Sequence, residues 1–89
     1  MVTVKIAKDV ILQELEGEAV LLNMRTGIYF GLNAVGTRIW QLLSEHGEVL
    51  TVTTMLLDEY DIREDQLRNH LSDFIEQLQS KGLVEVREG

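Results

Sequence analysis

Hydrophobic positions in the first third of the chain recur with the period of two that belongs to strands. Val10–Leu15 is a short, mostly apolar run closed by Gly17. Ala19–Met24 places Val20, Leu22 and Met24 on one face. Ile28–Leu32 places Ile28, Phe30 and Leu32 on one face, with Tyr29 and Gly31 on the other. Arg25-Thr26-Gly27 between the last two is a tight reversal, where glycine supplies a positive φ. The pattern predicts three strands, the second and third joined as a hairpin.

From Asn33 onward the period changes to that of helices. Asn33 is an N-cap candidate for a helix over Ala34–Glu45, in which Val35, Ile39, Leu42 and Leu43 recur at helical spacing before Gly47. Thr51 is a candidate cap for a shorter helix, with Val52, Met55, Leu56 and Tyr60 on one face. The longest apolar stripe, Leu67, Leu71, Phe74, Ile75 and Leu78, predicts a helix over Glu64–Lys81 that stops at Gly82. Val84-Glu85-Val86 reads as a short final strand or a trailing end. The expected class is α+β, a three-stranded antiparallel sheet followed by three helices. That is also the part list of a winged helix-turn-helix.

The 89 residues fit one domain spanning 1–89, with no repeat, linker or low-complexity tract. The longest unbroken apolar run, Ala19–Leu22, is far short of the ~20 residues that a bilayer crossing needs. The segment Met1–Ile6 lacks the basic and apolar regions of a signal peptide, so the expected location is cytoplasmic. A net charge of −7, from 8 Lys and Arg against 15 Asp and Glu, argues against nucleic acid as a partner.

Candidate chemistry is sparse. With no cysteine, disulfides, thiolate metal sites and cysteine nucleophiles are excluded. His46 and His70 have no His or Cys at ligand spacing, so no metal site and no cofactor is expected. Asp58-Glu59 and the pair Asp73 and Glu76 read as solvated helix surface, and no glycine cluster has the Lys-Ser or Lys-Thr of a phosphate loop. These absences predict a binding protein and not an enzyme.

The most informative stretch is Thr26-Gly27-x-Tyr29-Phe30-x-Leu32-Asn33-x-x-Gly36-x-x-Ile39-Trp40-x-Leu42-Leu43. Each residue has a purely structural reading: a turn, a cap, a core tryptophan. Gly36 inside a helix costs roughly 1 kcal/mol against alanine, which points to close backbone contact with the sheet. Taken together, the block resembles the signature of the PqqD-like proteins, the precursor-peptide recognition elements of ribosomally made, modified peptide (RiPP) pathways. The likeness extends over about residues 10–84 and includes Leu67, Leu71 and Lys81-Gly82-Leu83-Val84. With no second domain attached, the chain looks most like the stand-alone form found in lasso-peptide biosynthesis.

The resemblance implies a function: non-catalytic binding of a precursor's leader segment as an added strand on Ile28–Leu32, walled by the last helix. It further implies that the leader is presented to a leader peptidase and an ATP-dependent cyclase. The residues agree with it. If the sheet follows chain order, Ile28–Leu32 is an edge without proline or lysine to block pairing. Candidate contacts are therefore Ile28, Tyr29, Phe30, Gly31 and Leu32. On the last helix the off-centre apolar residue Ile75 marks Arg68, Leu71, Ser72 and Ile75 as the groove side, although Ile75 reads equally well as core. Asp73 and Glu76 are candidate acidic contacts to a Lys-bearing leader. The alternatives are a DNA-binding winged-helix regulator and a subunit that merely docks on an enzyme. The first is opposed by three basic against four acidic residues over Arg63–Lys81.

Overall fold

The computed structural model describes residues 1–16 and 18–89; the expected strand end at Gly17 and the Leu15 side chain lie outside the described residues. The elements run β1 (Val2–Ile6), β2 (Val10–Leu15), β3 (Glu18–Asn23), β4 (Ile28–Leu32), α1 (Ala34–His46), α2 (Val49–Glu59), α3 (Glu64–Ser80) and β5 (Val84–Glu88). Strands β2, β3 and β4 form an antiparallel sheet in chain order, pairing Leu12 with Leu21 and Leu21 with Phe30. Three helices follow it. The expected α+β arrangement of sheet and helices is therefore present.

One addition is tertiary. Within Met1–Ile6, read from sequence only for what it lacks, Val2–Ile6 is a strand, and it closes with β5 into a separate two-stranded antiparallel sheet. The first and last residues meet there: the Met1 amino group donates to Gly89 O at 2.8 Å, and Gly89 N–H returns a bond to Met1 O at 3.0 Å. Strand β1 also fixes where α2 begins. Thr3 bridges to Glu48, and Val4 N–H donates to Gly47 O at 2.7 Å. That anchor starts α2 at Val49, two residues ahead of the expected Thr51 cap, with Glu48 O accepting from Val52 N–H. Thr51 lies inside the helix, and Tyr60 caps its C-terminus.

The core is shared by all the layers. Leu21, Leu42, Leu43, Val52, Leu56, Leu71, Leu78 and Leu83 are fully buried, with Val4, Trp40 and Val84 beside them. Arg38 clamps α1 to α2 through a bidentate pair with Glu59 at 2.8 and 2.7 Å. The hydrogen bond from Arg38 holds the Glu59 carboxyl below its ordinary range. Helix α3 ends in a Schellman turn: Leu83 N–H donates to Leu78 O and Gly82 N–H to Gln79 O, with Gly82 at φ 72°.

Asn23 ties the two sheets together. Its buried side chain accepts from Arg25 N–H at 2.9 Å and Thr26 N–H at 3.2 Å, shaping the β3–β4 turn. Its amide group also donates to Gly82 O at 3.1 Å, just before β5. Asn23→Ala should lose about 2–4 kcal/mol of stability in urea denaturation, from several hydrogen bonds at once. Asn23→Asp keeps the acceptor and should lose less.

Candidate functional site

The sheet ends at β4, whose far side meets no other described strand. The direction of its main-chain groups follows from its neighbour. Met24 N–H, at the end of β3, donates to Asp9 O on the β2 side, whereas Asn23 O accepts from Gly27 N–H on the β4 side. Alternation along the ladder then directs Asn23, Leu21 and Ala19 across to Ile28, Phe30 and Leu32. Tyr29 and Gly31 therefore turn their N–H and C=O groups outward, to the open margin. Tyr29 is 68% exposed. No described atom lies within 4 Å of where a Gly31 Cβ would stand. The margin is unpaired and unblocked.

Beside it runs a groove of about 490 Å³, formed by the end of β4, the start of α1 and one face of α3. Phe30 and Phe74 make its floor, with rings edge to face and centroids 6.2 Å apart. Val35 and Ile39 extend the apolar lining, and His70, Asp73 and Gln77 supply a polar wall on α3. Asn33 sets the corner between strand and helix: its side chain accepts from Gly36 N–H at 2.8 Å, the cap anticipated from sequence. The close approach expected of Gly36 is present too. A Cβ there would lie 3.3 Å from a Leu32 methyl and 3.6 Å from the Phe74 ring, so glycine lets α1 sit against both β4 and α3.

The expected site residues fall into two groups. Phe30, Gly31 and Leu32 line this groove, Tyr29 borders it through its outward backbone, and Ile28 is a partly exposed residue at the turn end of the strand. Arg68, Leu71, Ser72 and Ile75 are not beside β4. They line a second groove, with Val2, Val49, Leu50 and Val86, on the opposite side of α3. Leu71 and Ile75 are buried core residues. The α3 face that lines the β4 groove is instead the side of His70, Asp73 and Gln77. Of the two acidic candidates, Asp73 stands in the β4 groove and Glu76 in the second one. Phe74 and Ile75 flank the stripe on either side, so the off-centre argument applied equally to Phe74. Its aromatic ring beside three polar neighbours was the usable signal.

The family model described as Coenzyme PQQ synthesis protein D (PqqD) matches residues 18–84. The chain belongs to the PqqD family. A solved structure described as TbiB1 in complex with the TbiA(beta) leader peptide is 38% identical, with a TM-score of 0.83 over 91% of this chain and 94% of that one. A lasso peptide synthetase B1, also solved with its leader peptide, has the same fold at 20% identity and a TM-score of 0.83, over 93% of this chain and 98% of that one. No curated protein sequence matches the chain. Among the described residues no group of His, Asp and Glu is arranged to hold a metal ion, and no helix is long and apolar enough to cross a membrane.

The Asn33 cap holds the corner of the groove in this PqqD-family chain. Asn33→Ala should cost about 1 kcal/mol in thermal or urea unfolding. It should also speed hydrogen exchange at the Gly36 amide while leaving the end of α1 unchanged.

Proposed function

We propose that the protein binds the leader segment of a ribosomal precursor peptide as an antiparallel strand added to β4, in the groove between β4 and α3. The observation that carries this reading is the open margin at Tyr29 and Gly31 beside an apolar floor. It is supported by the fold shared with TbiB1, whose solved complex contains a leader peptide. The outward N–H and C=O groups of Tyr29 and Gly31 accept an extended chain at about 0.5–1.5 kcal/mol net per bond. A leader side chain seated on Phe30 and Phe74 adds about 1.5–3 kcal/mol. After ordering costs these terms alone fall short of the about 8 kcal/mol of micromolar binding, so further leader side chains along the groove must contribute.

Asp73 gives the groove an acidic wall suited to a lysine or arginine in the leader. In this reading the protein's role is tethering and the peptide chemistry belongs to partner enzymes. It holds the leader while the remainder of the precursor is free to reach a leader peptidase and an ATP-dependent cyclase, raising the substrate's local concentration there. We place this work in the cytoplasm, where precursor peptides are made.

In this reading the winged-helix-like set of three helices serves as a wall for a peptide. DNA binding has no support from charge. Arg63 is already paired with Asp65 at 3.0 Å and Arg68 with Glu64 at 3.2 Å.

Fluorescence polarisation with labelled leader peptides encoded beside the gene tests the proposal. Wild-type protein should bind one of them saturably. Tyr29→Pro removes an outward N–H yet leaves the rungs to β3 in place, so it should abolish binding with an unchanged circular dichroism spectrum. Asp73→Lys should weaken a basic leader about tenfold, and Arg68→Ala, on the far side of α3, should have no effect. Equal affinity of wild type and Tyr29→Pro would remove β4 as the docking strand.

A further inference from the structure

A second open margin lies on the other sheet. Ala7 N–H donates to Leu83 O at 3.0 Å, and Met1 and Gly89 exchange bonds at the far end. The odd-numbered residues of β1 and β5 are thus the hydrogen-bonded pairs, Lys5 with Glu85 and Thr3 with Arg87. The even-numbered ones turn their main-chain groups outward. On the β1 side that outer margin is taken by the turn before α2, through Val4 and Gly47. On the β5 side Val84, Val86 and Glu88 face outward, and β5 pairs with no described strand except β1. Under this margin runs the second groove, about 490 Å³ in volume, with Val2, Leu50, Ile75 and Val86 along it. Leu50 is 62% exposed.

We propose that the β5 margin is a self-association surface, on which two copies of this chain pair β5 to β5 antiparallel about a two-fold axis at Val86. The argument is one of register and charge. Outward residues have to meet outward residues, so only alternate registers form hydrogen bonds. Shifting the pair by one such step in one direction opposes Glu85 to Glu85, and in the other Arg87 to Arg87. The register centred on Val86 opposes Glu85 to Arg87 of the second copy, and Arg87 to its Glu85. Those residues occupy the non-hydrogen-bonded positions, where side chains stand closest. Across the resulting four-stranded sheet the exposed face reads Lys5, Glu85, Arg87, Thr3, with unlike charges adjacent at the Lys5–Glu85 and Glu85–Arg87 steps.

The geometry is self-complementary, as an isologous two-fold contact requires. On the inner face Val86 meets Val86, and each copy covers the rim of the other's groove. The β4 margins stay outside the contact, so a pair retains two separate β4 grooves.

Sedimentation equilibrium of the full chain, up to about 1 mM at about 0.15 M salt, tests this. Wild type should show a monomer–dimer equilibrium. Arg87→Glu opposes Glu85 to a new glutamate at two symmetric places and should weaken it about tenfold. Glu85→Arg should do the same, and an equimolar mixture of the two variants should recover dimers by restoring unlike pairs. Val86→Pro deletes the outward N–H at the axis without touching the bonds to β1. It should be monomeric with a native circular dichroism spectrum. A wild type monomeric throughout, or a dimer indifferent to both Arg87→Glu and Val86→Pro, overturns the proposal. So does competition for the margin by leader peptide, which would give it a different occupant.

Discussion

A backbone amide or carbonyl that faces water on a sheet edge is satisfied only provisionally, and β4 leaves both kinds of group open at two residues. Those residues are Tyr29 and Gly31, whose main chain faces outward from the sheet. The strand must be held firmly from behind and left bare in front. Its rungs to β3 provide the first condition. The second is met because α3 stands off to one side, leaving a groove instead of closing over the edge. Edge strands are commonly blunted with proline, lysine or a bulge; Ile28-Tyr29-Phe30-Gly31-Leu32 has none of these.

The distance between β4 and α3 is set by a few contacts whose chemistry is simple. Gly36 allows α1 to press on Leu32 and the Phe74 ring at van der Waals range. Asn33 turns the chain from strand to helix within one residue. The Phe30–Phe74 edge-to-face pair then gives the groove a floor that water wets poorly and an apolar side chain covers well. Behind these, Asn23 joins the β3–β4 turn to the end of α3, so the turn end of the binding strand and the wall helix are tied to a common point. A polar residue this buried, with its acceptor and its amide donor both engaged, favours one arrangement of the two sheets over its neighbours.

Much of this was legible in the chain. The β3–β4 hairpin, the three helices, the Asn33 cap, the close approach at Gly36 and the buried Trp40 all follow from residues within a turn or two of one another. The open edge was legible and the helix face beside it was not. The unprotected edge of β4 was identifiable because a strand's alternation is local and its blocking residues are conspicuous by type. The matching face of α3 was not, because Phe74 and Ile75 stand on either flank of one apolar stripe and periodicity does not say which flank meets β4. The second groove, where Arg68, Leu71, Ser72 and Ile75 reside, exists because the β1–β5 sheet occupies the far side of α3.

The order and kind of the elements from β2 to α3, and the residues that make an unprotected edge, were determined by the sequence alone, because side-chain period, caps and turn glycines act over a few residues. The tertiary structure decided what no local rule contains. Val2 pairs with Glu88 from opposite ends of the chain. That pairing converts an unremarked N-terminal segment into a strand and moves the start of α2 to Val49. The register of the whole core then settles which side of α3 is buried and which is left to line the groove. Contacts between residues so far apart depend on how every layer packs at once, and packing is a property of the assembled core.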